Sequence, residues 1–400
     1  MKLSKNRSKE YLLIQQTAAR NARHNILNKS IVLIACLVAL AAAIPTSQAQ
    51  LSYVITDLGM LPGTYGSSAR GINDSGTVVG SSDTHSGVGI GWVYDSTGMH
   101  DLQTMTGHEV ATAIAINNAG TIVGDYSWYH YSGIKIDSTG ATDLGPVMGG
   151  GASSAYGISD SGVIVGYNQQ NNRFDYHRTA IEIDASGNPH NLAALPGAEW
   201  GASAFGINNA GTIIVGESSF KTNPNGISHA VMWDSNGIHD LGSLPGRSLS
   251  QASDVNNAGT VVGFSWNDVV GNYLPFVTDA NGNIKELGLL PGKSQAFAEA
   301  INNAGTIVGT ALNDWSDATV FVTDSQGEMQ DLSSLLTPES KSLFSVLSGG
   351  DINNNGQIVG SGQTPSGEWH AFLATPVPEP STWAMLVGGM FSLLMVRRRR

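Results

Sequence analysis

The sequence predicts an all-β chain: a seven-bladed β-propeller with a 1+3 strand closure, plus an N-terminal signal segment and a C-terminal single apolar helix. Three observations carry this. A turn-forming segment recurs seven times, its glycines 42 to 51 residues apart. Glycine is abundant, at 49 of 400 residues, and punctuates short Val/Ile runs. No 3.6-residue apolar period runs through the middle of the chain.

Residues 1–49 are read as a signal peptide with a long basic n-region. Seven Lys/Arg precede residues 31–44, IVLIACLVALAAAI, and Ser47-Gln48-Ala49 offers a small-x-small cleavage site between Ala49 and Gln50. An uncleaved anchor is the alternative, opposed by an apolar run shorter than the roughly 20 residues that span a bilayer. Leu33-Ile34-Ala35-Cys36 is similar to a lipoprotein box, but most of the apolar residues follow the cysteine. Cys36 is the one cysteine of the chain, so the rest has no disulfide and must be held by packing.

Residues 51–375 are read as the propeller. The repeated segment appears as GINDSGTVVG from Gly71, AINNAGTIVG from Ala115, GISDSGVIVG from Gly157 and GINNAGTIIVG from Gly206. It returns as DVNNAGTVVG from Asp254, AINNAGTIVG from Ala300 and DINNNGQIVG from Asp351. An Ile/Val strand enters, Asn or Asp closes the turn through its side chain, and glycine accepts the left-handed backbone. The strand that leaves is apolar at consecutive positions, as when neighbouring sheets cover both faces. A second hairpin follows, as in AVMWDSNGIHDLGSL from Ala230, so each unit holds four strands. Such a unit is too thin to bury its own faces; radial stacking lets each sheet cover the next.

Fourth strands are expected around Leu102, Leu144, Leu192, Leu241, Leu287 and Leu332. The seventh unit ends at HAFLATP (370–376) and lacks one, while LSYVITDLGML (51–61) supplies a fourth strand with no unit before it. Residues 53–59 are therefore expected to complete the last blade and remove the open edges.

The repeats resemble HAF-type extracellular repeats through Asp-Leu-Gly-x-Leu-Pro-Gly (240–246), the Ile-Asn-Asn-Ala-Gly turn and His370-Ala371-Phe372. The second and third units depart most, reading SGIKID and RTAIEID where that signature would fall. The resemblance implies an extracellular repeat protein and supplies no activity.

Residues 376–400 are read as a sorting tail. Val377-Pro378-Glu379-Pro380 precedes Ser381-Thr382, the apolar run Trp383–Val396, and Arg397, Arg398, Arg399 and Arg400. A helix of that run rises about 21 Å, short for a full span. The arginines favour the cytoplasmic side. This order resembles the PEP-CTERM tail of Gram-negative bacteria. The resemblance implies processing by an exosortase near Pro378-Glu379-Pro380 after Sec export, with the inner membrane as a transient station and the outer surface or extracellular matrix as the destination.

Between the two basic ends the chain carries nine Lys/Arg against thirty Asp/Glu. Such an acidic surface repels phosphate backbones and disfavours nucleic-acid partners. The sequence holds no HExxH, no GxSxG, no Walker loop and no Cys/His metal cluster, so neither cofactor nor metal is expected. The Asn/Asp turns offer oxygen ligands for calcium, but turn formation already explains their identity. His100 and His239 share a repeat position and are read as turn residues, and Asp57, Asp101, Asp143, Asp240 and Asp331 as structural caps.

A binding site is sought where the repeat is interrupted. The insert at 125–133 brings Trp128, Tyr129 and Tyr131; that at 167–178 brings Tyr167. Aromatics beside amides and hydroxyls suit carbohydrate stacking, and packing under the blade edges is the alternative. The expected function is that of a non-enzymatic exported surface or exopolysaccharide-matrix protein, a platform for glycans or proteins. The alternatives are an envelope polysaccharide lyase or glycosidase, signalled by one asymmetric pocket with clustered acids, and a purely structural coat component.

Overall fold

A computed structural model describes residues 52–377, apart from 127–131, 146–151, 170–176, 222–225, 268–270 and 325. The signal segment with Ala49 and Gln50, the aromatics Trp128, Tyr129 and Tyr131, and the tail from Pro378 to Arg400 lie outside the described residues.

What is described is nearly all β. β1 (Ser52–Gly59) precedes the first repeat, which folds as β2 (Gly66–Ile72), β3 (Val78–Asp83), β4 (Gly89–Asp95) and β5 (Gly98–Asp101). The second gives β6 (Thr112–Ile116), β7 (Ile122–Asp125), β8 (Gly133–Asp137) and β9 (Gly140–Asp143). The third gives β10 (Ala152–Ile158), β11 (Ile164–Gln169), β12 (Arg178–Ile183) and β13 (Pro189–Asn191). The fourth gives β14 (Gly201–Ile207), β15 (Ile214–Phe220), β16 (Ile227–Asp234) and β17 (Gly237–Gly242). The fifth gives β18 (Leu249–Val255), β19 (Val261–Asn267), β20 (Asn272–Thr278) and β21 (Ile284–Glu286). The sixth gives β22 (Gln295–Ile301), β23 (Ile307–Leu312), β24 (Thr319–Thr323) and β25 (Met329–Asp331). The seventh gives β26 (Val346–Ile352), β27 (Ile358–Gln363) and β28 (Trp369–Val377).

Within each repeat, successive strands pair antiparallel. β1 lies antiparallel on β28, from Ser52 opposite Val377 to Gly59 opposite Ala371. The first described strand is thus hydrogen-bonded to the last described one, and β28 extends through Pro376 and Val377, two residues past the boundary expected at 375. The fourth strands end one residue earlier than the sequence suggests, at Asp101, Asp143, Asn191, Glu286 and Asp331; Leu241 alone lies inside its strand. After Asp101 and Asp331 short helices form (Leu102–Thr106 and Leu332–Leu335), because each Asp side chain caps the first free N–H groups.

The cores are shared between consecutive repeats. Val215 and Ala230 of the fourth pack with Ala252, Val255, Val261 and Phe276 of the fifth. Ala69, Val78 and Trp92 of the first pack with Val359 and Ala371 of the seventh. From β1, Tyr53 and Ile55 enter the core formed by the sixth and seventh repeats. Each such burial contributes about 1.5–3 kcal/mol, and it pushes the Tyr53 hydroxyl up to about 12.

The repeat's sequence signature is explained by contacts that cross these seams. His370 and His229, the histidines of the two His-Ala pairs, place Nδ1 3.0 Å from Asp57 and Asp240 of the adjoining fourth strand. The next residue is tied to the following repeat: Ser67 Oγ accepts from the Ala371 amide and donates to the Gly59 carbonyl. Ser250 does the same for Ala230 and Gly242. The second-strand glycine, as at Gly263, is packed so tightly against Gln251 and the Phe276 ring that a Cβ has no room.

The buried turn asparagines have two jobs. The Asn117 side-chain oxygen accepts from the amides of Ala119 and Thr121 and closes its own turn. Its Nδ2 donates to the Ser159 carbonyl of the next repeat at 3.0 Å. Asn73, Asn256 and Asn302 reach the next repeat in the same way, and Asn353 reaches Asn73 at 3.0 Å across 280 residues of chain. The fourth repeat departs: its extra isoleucine lengthens the turn, and Asn208 Nδ2 turns back to Thr212.

Candidate functional site: the cavity at the first strands

Every first strand carries a bulge one residue before its last two. The register shifts fall between Ala69 and Gly71, Ala113 and Ala115, Ala155 and Gly157, and Ala204 and Gly206. They continue between Ala252 and Asp254, Ala298 and Ala300, and Gly349 and Asp351. A bulge leaves one residue unpaired and re-aims its side chain. The bulged residues are Arg70, Ile114, Tyr156, Phe205, Ser253, Glu299 and Gly350, and all seven line one cavity of about 520 Å³.

These residues are unlike one another although the turn that follows them is nearly uniform. The residue after the bulge is glycine or alanine in five repeats, where the neighbouring first strand comes close; a Cβ on Gly206 would meet the Ser253 carbonyl at 2.7 Å. The fifth and seventh repeats place aspartates there. Asp254 accepts from the Val255 amide at 2.8 Å and from Ile301 of the next repeat at 2.9 Å. Asp351 accepts from Ile352 at 2.7 Å and from Ile72 of the first repeat at 3.0 Å. Glu299 accepts from Thr310 Oγ1 at 3.0 and 3.2 Å.

The three carboxyls lie deep in the molecule yet keep part of their side-chain surface on the cavity. Burial pushes Asp254 and Glu299 up to about 7 and Asp351 up to about 6. The negative charge of Asp351 adds to the effect on Asp254, and the amide donors oppose it. Carboxyls titrating near neutrality can hold or give a proton at working pH.

Around the cavity the chemistry is uneven. The buried carboxyls come from the fifth, sixth and seventh repeats, and Asp74 of the first and Asp160 of the third add two more from the turns. Arg70 follows, exposed into the cavity, and its positive charge also acts on the Asp125 carboxyl. The third and fourth repeats supply an aromatic wall, where Tyr156 meets Phe205 edge-on at 5.3 Å and stacks on Tyr167 at 5.8 Å. Arg178 lies 4.6 Å from the Tyr167 ring. Burial raises the Tyr156 hydroxyl well above its ordinary value, so it stays a neutral donor.

The turn residues beside the cavity form a hydrogen-bonded chain. Asn118 Nδ2 donates to Asp74 and Asp160, Asn209 to Asp160, Asn354 to Asp74, and Asn303 to Asn209. Their carboxylate oxygens are occupied by protein donors. Among the described residues no group of three or more His, Cys, Asp or Glu side chains is placed to hold a metal ion.

Of the residues singled out from sequence, Tyr167 lies in strand β11, not in a loop, and braces the aromatic wall. Val377 ends β28. Asp57, Asp101, Asp143, Asp240 and Asp331 cap the ends of the fourth strands, as at Gly59 and Gln103. His100 and His239 bond to Asp95 and Asp234 of their own turns. The sequence reading missed Arg70, Tyr156, Phe205, Asp254, Glu299 and Asp351. A signal was present: within the segments ARGI, AIAI, AYGI, AFGI, ASDV, AEAI and GGDI, the second position never settles, and the third turns from Gly or Ala to Asp in the fifth and seventh.

No family model matches the chain, and no curated protein matches it. Among solved structures it resembles a puromycin-hydrolysing peptidase of Mycobacterium tuberculosis with a TM-score of 0.50 and 12% identity, covering 81% of this chain and 55% of that one. It thus spans about half of that peptidase. A gluconolactonase, XC5397 of Xanthomonas campestris, aligns with a TM-score of 0.41 and 12% identity over 83% and 93% of the two chains. TolB of Acinetobacter baumannii aligns at 0.38 and 14% over 85% and 82%. The fold is of the propeller type. The expectation that the chain is not an enzyme does not stand: the solved structure it resembles at a TM-score of 0.50 is a peptidase, and the acids expected only as scattered caps are joined by three that line one cavity.

Proposed function

We propose that this chain is an exported seven-bladed propeller, closed by β1 on β28, whose cavity takes a neutral saccharide unit and offers it carboxyl groups able to transfer a proton. One observation carries the reading. Two adjacent positions that vary within a nearly uniform repeat, the bulged residue and the one after it, supply much of the cavity lining, and they bring acids and aromatic rings to the same space. Carboxyls and an arginine suit the hydroxyls of a sugar, and Tyr156 and Phe205 suit its apolar face. A volume of about 520 Å³ falls within the usual range of small-ligand sites. With Asp74, Asp160, Asp254, Glu299 and Asp351 against Arg70, the lining is acidic and disfavours anionic sugars.

Supporting the closed ring are the β1–β28 ladder, the core shared by the first and seventh repeats, and the Asn353-to-Asn73 bond. Supporting export are the two ends. The HAF-like repeats and the PEP-CTERM-like tail imply Sec export, exosortase processing and delivery to the surface or exopolysaccharide matrix. Ser52 pairs with Val377, so cuts after Ala49 and within Pro378-Glu379-Pro380 both fall just outside the ladder that joins the ends.

Calorimetric titration of the full chain with a panel of neutral mono- and disaccharides tests the site. One of them is expected to bind, and Glu299→Gln and Phe205→Ala each to weaken it about tenfold, the loss of one charge-assisted hydrogen bond or one stacked ring. Binding that neither variant changes would refute the assignment.

A further inference from the structure

We propose that a second glycan surface, for a neutral polysaccharide chain, lies away from the cavity, where the fifth and sixth repeats meet. It is built from Phe264, Trp266, Tyr273, Phe297 and Trp315. The repeat frame does not call for an aromatic ring at Phe297. At the position of Phe297 the other first strands carry Ser68, Thr112, Ser154, Ser203, Gln251 and Ser348. A small polar residue is enough to fill that seam, as where Ser154 donates to Asp125 at 2.6 Å.

The five rings form one continuous array. Trp266 stacks on Tyr273 at 5.6 Å with planes 14° apart, and Tyr273 meets Phe297 at 4.5 Å. Phe264 packs edge-on against Tyr273 and Phe297. Trp315 lies parallel to Phe297, 6.4 Å away and tilted by 11°. Trp315 is 60% exposed, and the other four are half-buried. A protein partner would call for a wider apolar patch; a strip of rings with one exposed tryptophan matches the width of a polymer chain.

The exposed ring is held in place. Asn313 donates to both oxygens of Asp317, at 2.8 Å from its amide and 2.7 Å from Nδ2. Ser316 bonds to Asp314, and Lys293 pairs with Asp317 at 3.2 Å. The two aspartates are held below the usual carboxylate range by these donors, so both stay charged against the one lysine, and a rim of net negative charge offers no attraction to a polyanion. Beside Phe297, Gln295 Nε2 donates to the Asn313 carbonyl at 3.3 Å while its Oε1 is buried with no partner. A flat, held, exposed ring at the end of this array, set among the amide groups of Asn313 and Gln295, points to a ligand that brings hydroxyls and an apolar face together.

Affinity electrophoresis of the full chain through gels containing neutral polysaccharides (a glucan, a galactomannan, a xylan) tests the surface. The wild type is expected to be retarded by at least one, and Trp315→Ala and Trp266→Ala to raise the dissociation constant at least tenfold with unchanged melting temperature. Glu299→Gln, which alters the cavity, is expected to leave retardation intact. Three results would overturn the proposal: no retardation by any of the polymers, retardation that neither tryptophan variant weakens, or retardation abolished by Glu299→Gln. Loss of self-association, not of retardation, in the tryptophan variants would also overturn it and mark a protein interface.

Discussion

Replacing Glu299 by glutamine keeps the shape and the acceptor for Thr310 Oγ1 but removes the charge. The wild-type carboxyl is pushed up to about 7 from an ordinary 4.5 by burial. Because the folded-state value is raised, ionisation penalises the folded protein and spares the unfolded chain. The penalty is absent below the unfolded value, grows as pH rises between the two, and is complete above about 7. Holding the charge there would cost about 3 kcal/mol if fully shielded from water. Its side chain keeps surface on the cavity, and solvent screening reduces the expected figure to about 1–2 kcal/mol. Glutamine avoids that cost at every pH. Glu299→Gln is therefore expected to melt with the wild type at low pH and roughly 1.5–3 °C above it at high pH. Scanning calorimetry at pH 4.5 and pH 8 reads the difference. An equal shift at both, or a variant less stable at pH 8, would refute the placement of a buried carboxyl on the cavity.

Two further outcomes bear on the scaffold and the ends. Asn353→Ala removes the bond to the Asn73 carbonyl and the acceptor for the Asn355 and Gln357 amides; it is expected to cost about 2–4 kcal/mol in denaturant unfolding, and a loss under about 0.5 kcal/mol would count against the stitched turns. Mass spectrometry of the mature protein is expected to find Gln50 first and a last residue between Val377 and Pro380; an intact tail ending at Arg400 would contradict the sorting assignment.

The sequence revealed the frame more readily than the site, for a physical reason. Turns carry strict backbone demands, so Asn117 and Gly120 recur in kind and can be read directly; Gly120 sits at φ 81°, where only glycine is at ease. The strand at 52–59 was legible because a fourth strand without a unit has to find an edge. The boundary at Leu102 was misjudged because one Asp can end a strand and cap a helix at once. The cavity was missed because a bulge breaks the two-residue alternation: Tyr156 and Glu299 sit inside strands that otherwise read as core. Inserts are where variation costs the fold least, whereas here the informative variation lies beside the most uniform part of the repeat. Inter-repeat bonds such as Asn117 to Ser159 were invisible because they join residues 42 apart.

A crystal structure of the full chain soaked with the saccharide that titrates most tightly addresses the central claim. The sugar is expected between the Glu299 and Asp254 carboxyls and the Tyr156 and Phe205 rings. An empty cavity, with the same sugar ordered elsewhere on the chain, would contradict the account.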